Sequence, residues 1–172
     1  MANRYMNGLV EGDKQDWGTP QAFFEYIEHQ FDVQFTLDAC ASDYNTKCLF
    51  NYYTEQNDGL TQEWYGDVWC NPPYARVIKH RFIEKAQEEA AKGNARVFCL
   101  IPARTDTKLF HDLIMKYAAA VYFIKGRLNF EHNRRGMGPA PFASMLVVFN
   151  GIIYADGPTV SNLTPSLKER GF

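Results

Sequence analysis

Residues 67–74 read Asp-Val-Trp-Cys-Asn-Pro-Pro-Tyr. A short apolar run, Val68, Trp69 and Cys70, meets two prolines that cannot donate to a β-ladder, so a strand arriving here must end. Asn71 precedes Pro72 and is pushed out of the helical region. The expected product is a rigid turn at the carboxyl end of a strand, where open α/β sheets gather their ligands. The Asn71 side-chain carbonyl and the backbone carbonyl of Pro72 are two acceptors held at close quarters. Together they can hold both hydrogens of a planar exocyclic amino group, while Pro73 stiffens the turn and the Tyr74 ring stacks on the same plane. Such a seat suits an amino nitrogen about to act as a nucleophile. Toward a reactive methylsulfonium the work is alignment and electrostatics, with no general base required. The same four residues also read as a plain loop, or as a proline-rich ligand for another domain.

What must hold that turn is a sheet with helices around it. Thr19-Pro20 opens a helix, with Thr19 as N-cap and Pro20 at the first helical position. Phe23, Phe24, Ile27 and Phe31 follow at helical spacing and form an apolar face. Trp17-Gly18, just before, is not explained by packing alone. Residues 33–39 alternate into Leu-Asp-Ala-Cys-Ala, a strand ending on the Asp38 carboxylate. At the end of a first strand such a group meets a ligand amine or ribose hydroxyl, or else serves as a helix cap or turn aspartate. No Gly-x-Gly follows it. The stretch 41–57 is polar and closes on Asn57-Asp58-Gly59, a turn signal. Asp58 lies about 20 residues after Asp38, where dinucleotide folds place a ribose acid.

Beyond the prolines, residues 77–92 read as a helix closed by Gly93. Residues 95–101 form a continuous apolar run, as in a buried parallel strand, which breaks at Pro102 into Ala-Arg-Thr-Asp-Thr. Residues 110–119 read as helix and 120–124 as strand, continued by Gly-Arg-Leu-Asn-Phe at 126–130. A loop at 131–141 carries Arg134 and Arg135. Residues 142–149 and 152–154 read as a closing hairpin over Asn150-Gly151, followed by a polar, frayed tail at 155–172.

A length of 172 residues, 46% hydrophobic and 15% aromatic, suits a single domain over 1–172 with a sizeable core and a mobile arm at about 1–17. There is no apolar run of membrane-spanning length and no apolar leader after Met1, so no membrane partner and a cytoplasmic address are expected. The net charge of −2 does not announce a nucleic-acid binder. A local basic patch from Arg127, Arg134 and Arg135 remains open to it. Cys40, Cys48, Cys70 and Cys99 match no zinc spacing, and no metal is expected.

Taken in order, Trp-Gly-Thr-Pro, Leu-Asp-Ala-Cys-Ala, Asn-Pro-Pro-Tyr, Pro-Ala-Arg-Thr-Asp-Thr and Gly-Arg-Leu-Asn-Phe resemble the boxes of the small phage-type DNA adenine-N6 methyltransferases, the Dam-like family. The resemblance covers about residues 17–149. It implies an α/β fold, an abridged Rossmann-like S-adenosylmethionine-dependent methyltransferase sheet with flanking helices. It also implies S-adenosylmethionine as cofactor and double-stranded DNA as partner, with the target adenine flipped out of the duplex. A phage or prophage origin would put the chain in the host cytoplasm, protecting DNA from restriction. By the same resemblance Thr19, Pro20, Asp38, Ala39, Ala41 and Asp58 meet the cofactor. Asn71, Pro72, Pro73 and Tyr74 form the catalytic grip, and Arg104, Arg127 and Phe130 meet the substrate, Phe130 as a second stacking face. The first box lacks the usual Phe-x-Gly-x-Gly. Too few residues separate Asp38 from Asn71 for two full βα units, so the sheet is expected to be abridged there. Rival targets of the same grip are cytosine, RNA and protein glutamine; a catalytically silent nucleic-acid-binding module is a reading of another class.

Overall fold

The structure, a computed structural model, describes residues 17–132 and 135–172. In chain order these form α1 (Gln21–Phe31), β1 (Leu37–Asp38), β2 (Gly66–Cys70), α2 (Arg76–Ala91), β3 (Ala95–Pro102), α3 (Met115–Tyr117), β4 (Ala120–Ile124), β5 (Glu131–His132), β6 (Arg135–Gly136), β7 (Ser144–Phe149) and β8 (Thr159–Leu163). Six strands make one sheet in the order β1-β2-β3-β7-β4-β8, and β5 and β6 pair separately. β1, β2 and β3 run parallel, β7 lies antiparallel between β3 and β4, and β8 is parallel to β4.

Alternation along the strands sorts the core into two layers, as expected of a sheet covered on both faces. Val68, Cys70, Val97, Cys99, Ile101, Val147 and Phe149 pack with Ile78, Phe82 and Ile83 of α2. Trp69, Phe98, Leu100, Leu146 and Val148 pack with Phe23, Phe24 and Ile27 of α1. The helical face expected of α1 is therefore the one it buries.

The abridgement is real. β1 pairs directly with β2, and their connection contains a single 3₁₀ turn (Gly59–Thr61) where an ordinary βα unit would carry a helix. Only Leu37–Asp38 of the expected 33–39 strand enters the ladder.

Other expectations shift. Pro20, with φ −58° and ψ 134°, occupies the N-cap of α1 without a side-chain cap. Its carbonyl accepts from the Phe23 and Phe24 amides, and Thr19 is buried instead of capping. Residues 110–119 do not form one α-helix: Leu109–Ile114 is wound as a wider π-helix before α3. β4 stops at Ile124, and the chain turns at Gly126 with φ +84°. The closing hairpin is absent. Both edges of β7 are already taken, by β3 and β4, so residues 152–154 have no ladder to join and lie exposed. The tail expected to fray instead supplies β8, and its Arg170 and Gly171 carbonyls accept from the Asn129 backbone amide at 2.8 Å and the Asn129 side-chain amide at 2.7 Å. The arm expected at about 1–17 and Arg134 lie outside the described residues, save Trp17.

Candidate active site

Asn71 follows the last residue of β2, at the carboxyl edge of the parallel strands, where the prolines were expected to place it. Its amide is fixed on both sides. Nδ2 donates to the backbone oxygen of Trp17 at 2.5 Å, and Oδ1 accepts from the Tyr74 hydroxyl at 2.8 Å. That hydroxyl has one proton, and the Leu100 carbonyl at 3.3 Å is the farther acceptor. Burial, with the neighbouring Cys70 in second place, pushes the Tyr74 phenol well above its ordinary pKa, so it stays a donor. An amide oxygen carries two lone pairs. With one on Tyr74, Asn71 Oδ1 can still accept from one ligand N–H.

Four rings gather beside this amide. Trp17 and Tyr74 lie near-parallel, centroids 6.5 Å apart with 19° between planes. Phe142 stands edge-on to both, at 5.0 and 5.5 Å, and so does Phe130, at 5.6 and 5.9 Å. Phe130 is completely buried. It backs the cluster and has no free face for a second stack, which corrects the role expected for it.

Next to the start of α1 is a cleft of about 570 Å³, lined by Gln21, Asn45, Thr46, Lys47, Tyr52 and Glu131 among others. That volume falls within the range of small-molecule sites. Gly18 makes its near wall possible. The Gly18 and Glu131 backbones exchange two 2.8 Å hydrogen bonds, and a Cβ on Gly18 would sit 2.7 Å from Asn45 Nδ2. Asn45 Nδ2 itself donates to the Thr19 carbonyl at 3.1 Å. Beneath the cleft lies Asp38, 2% exposed. Its carboxylate accepts from the Cys40 amide at 3.2 Å and the Lys47 amide at 2.9 Å. Burial pushes this carboxyl up to about 6, against the downward pull of those amides and the Lys47 ammonium. Desolvation lowers the Lys47 pKa in turn, opposed by Glu131, Asp38 and Glu25.

A model of the family described as DNA N-6-adenine-methyltransferase (Dam) matches residues 8–162. The chain belongs to the Dam family of DNA N-6-adenine-methyltransferases. A relative named DNA N-6-adenine-methyltransferase, from Haemophilus phage HP1 (strain HP1c1), is 33% identical over 127 residues, 73% of this chain and 72% of its own. Among solved structures, one described as a modification subunit of a type I restriction enzyme from Vibrio vulnificus YJ016 aligns over 95% of this chain with a TM-score of 0.50 and 12% identity. This chain spans half the length of that protein. A predicted O-methyltransferase from Agrobacterium tumefaciens aligns over 62% of this chain and 44% of its own, with a TM-score of 0.33 and 15% identity. The Vibrio likeness supports the methyltransferase fold at the level of the sheet, and the Dam match covers most of the chain.

In this Dam-family chain none of the residues expected at the cofactor is among those that line the cleft, and Asp38 lies beneath it, bonded to the Lys47 amide. Thr19 is fully buried, and its hydroxyl finds no partner among the described residues. Pro20 precedes Gln21 at the cleft, and Ala39 and Ala41 are buried in the loop leaving β1. Asp58 is a turn residue first. Its backbone is left-handed, and its side chain accepts from the Leu60 amide. Gly59 after it packs so close to the Ala39 carbonyl that a Cβ would collide, which brings the turn to the end of β1. Arg104 is exposed and paired with Asp106 at 3.2 Å. Arg127 is exposed, with its carbonyl facing Arg170 Nη1 at 3.3 Å. Sequence reasoning missed Lys79, whose pKa is lowered by burial and by Arg104. It also missed Asn45, Lys47 and Phe142. Asn45 and Lys47 belong to a stretch without periodicity, so no pattern could have marked them. Among the described residues no group of His, Cys, Asp and Glu could hold a metal ion, and no helix is long and apolar enough to cross a membrane.

Proposed function

We propose that the chain transfers the methyl group of S-adenosylmethionine to the exocyclic amino group of adenine in double-stranded DNA, after flipping that base from the helix. The observation that carries this is the Asn71 amide. It is oriented from both sides at a strand end, keeps one acceptor site unused, and has an aromatic face beside it. The fit to the cofactor rests on the adjoining cleft, the buried Thr19 hydroxyl without a partner among the described residues, and the Lys47 ammonium at the cleft wall. S-adenosylmethionine brings an electrophilic methyl group on sulfonium.

The adenine amino nitrogen is a weak nucleophile because its lone pair is spread into the ring. As the new nitrogen–carbon bond forms, the methyl–sulfur bond would break to leave a neutral thioether, and the nitrogen becomes tetrahedral and positive before it gives up one proton to solvent. Asn71 Oδ1 and the Pro72 carbonyl, each accepting one N–H, favour that change and stabilise the growing charge. Such hydrogen bonds accelerate the reaction only because they strengthen in the transition state. Inside a duplex the amino group is out of reach, so flipping is required. A stack on Tyr74 returns about 1–3 kcal/mol of its cost. Lys79 in the first turn of α2 and Arg104 just past the end of β3 are close enough to interact, and they suit phosphate contacts. The Haemophilus phage relative favours a phage-encoded enzyme that marks DNA against restriction.

Methylated-base sequencing of DNA from cells expressing the chain tests the proposal. N6-methyladenine at one recurring sequence is the expected result. Methylcytosine, or methyl label in RNA or protein alone, would move the activity to a rival substrate.

A further inference from the structure

We infer that Asn129 is a positioning residue for methyl transfer, fastening the chain's last turn to the backbone that sets the Asn71 amide; this rests on the methyl-transfer reading above. Asn129 stands in the Gly-Arg-Leu-Asn-Phe box, between exposed Arg127 and buried Phe130. Both ends of its side chain are engaged. Nδ2 donates to the Gly171 carbonyl at 2.7 Å, and Oδ1 accepts from the Gly138 amide at 2.6 Å. Its backbone amide donates to the Arg170 carbonyl at 2.8 Å. One residue thus ties the loop at Gly138 to the tail.

The tail presents those two carbonyls because it closes on itself. Ser166 and Glu169 form a reciprocal capping pair. The Ser166 amide donates to Glu169 Oε2 at 2.6 Å, and the Glu169 amide donates to Ser166 Oγ at 3.2 Å. The turn runs on to Gly171, whose φ of +89° suits glycine. A Cβ there would lie 2.9 Å from Pro20 Cβ and 3.0 Å from the Asn129 carbonyl oxygen. The tail is therefore seated between Asn129 and the start of α1.

From Asn129 the connection to the chemistry is short. Phe130 is fully buried in the ring cluster, and its carbonyl accepts from the Met137 amide at 2.9 Å. Glu131 exchanges two 2.8 Å backbone hydrogen bonds with Gly18. Gly18 follows Trp17, whose carbonyl accepts from Asn71 Nδ2 at 2.5 Å. An amide that aligns a reacting nitrogen tolerates little displacement, and a misplacement of about 1 Å can cost about a hundredfold in rate. Asn129 acts through this backbone: it holds residues 129–131, they hold Gly18, and the Trp17 carbonyl stays where Asn71 needs it.

The experiment compares Asn129→Ala, Gly171→Ala and the double variant with the unmodified full chain. Asn129→Ala removes both side-chain hydrogen bonds, and Gly171→Ala strains a left-handed residue and crowds Pro20. On the duplex found by methylated-base sequencing, each single variant should lose roughly ten- to hundredfold in kcat. KM for the duplex and for S-adenosylmethionine should change less than about threefold, because the lost alignment matters in the transition state. The double variant should lose less than the product of the two single losses, since both substitutions break one connection. A merely structural asparagine would lower the melting temperature and leave kcat unchanged below it. That result overturns the inference, and so does a strictly multiplicative loss in the double variant.

Amide hydrogen exchange reads the connection without a substrate. In Asn129→Ala the Gly18 and Glu131 amides should exchange at least about tenfold faster, with β2 and β3 as protected as before. Unchanged exchange at both amides would also overturn the inference. A wild-type chain that methylates no amino group removes the transfer reading, and the positioning role with it. A methylating wild type with an indifferent Asn129→Ala removes the positioning role alone.

Discussion

The Tyr74 hydroxyl reaches back over two prolines and donates to Asn71 Oδ1 at 2.8 Å. This bond makes the tyrosine more than a stacking ring. Tyr74→Phe keeps the ring and releases one side of the Asn71 amide. One neutral hydrogen bond contributes about 0.5–1.5 kcal/mol, so kcat should fall roughly three- to tenfold. Tyr74→Ala should fall further, because the stack is lost too. Steady-state methylation of a duplex substrate measures both; full activity in Tyr74→Phe would show that the hydroxyl does not position the amide.

Asn71→Ala should abolish methyl transfer and leave S-adenosylmethionine affinity nearly unchanged. Asn71 is bonded to Trp17 and Tyr74, whereas the cleft is lined by Gln21, Asn45, Lys47 and their neighbours. Isothermal titration separates the two pockets. Equal loss of cofactor binding would place Asn71 in the other one.

Asp38 makes stability depend on pH in an unusual direction for a carboxylate. Burial raises its pKa from 3.8 to about 6, so the folded state favours the neutral form. Its contribution is full below the unfolded pKa near 4 and is lost as the pH rises through 6. The loss is about 3 kcal/mol, on a scale of 1.36 kcal/mol per pKa unit. Other groups titrate in the same window, so the comparison is with Asp38→Asn. Between pH 4 and pH 7, wild-type stability measured against that variant in urea should fall by about this amount. A difference that stays level would mean that the carboxyl titrates normally.

Deleting residues 159–172 should destabilise the chain and not merely trim it. β8 is the parallel partner of β4 along five residues, and Leu163 is 4% exposed. Losing that side chain from the core costs about 1.5–3 kcal/mol, and the uncovered β4 edge adds unpaired backbone groups. Thermal unfolding should shift down by more than about 5 °C. An unchanged melting curve would return the segment to a frayed tail.

Sequence alone determined the features that depend on short-range chemistry. Two prolines must end a strand, so Asn71 and Tyr74 were assigned to a strand-end turn before any fold was known. Phe23, Phe24 and Ile27 mark the buried face of α1, and the apolar run before Pro102 marks a central strand; both follow from periodicity. The abridged sheet was legible too, because the chain between Asp38 and Asn71 is too short for two full βα units. Tertiary structure decided what depends on which edges and faces meet. Residues 152–154 look like a strand, but β7 has no edge left for them, so the sheet recruits Thr159–Leu163 from a tail with no strand pattern. Phe130 looks like a stacking ring, but three aromatic neighbours bury it. Trp17, more than fifty residues before Asn71, becomes the acceptor of its amide through a hydrogen bond that no local pattern encodes. Hydrogen bonds between distant segments form wherever the fold brings a donor to an acceptor, and only the packed sheet and α1 bring these two together.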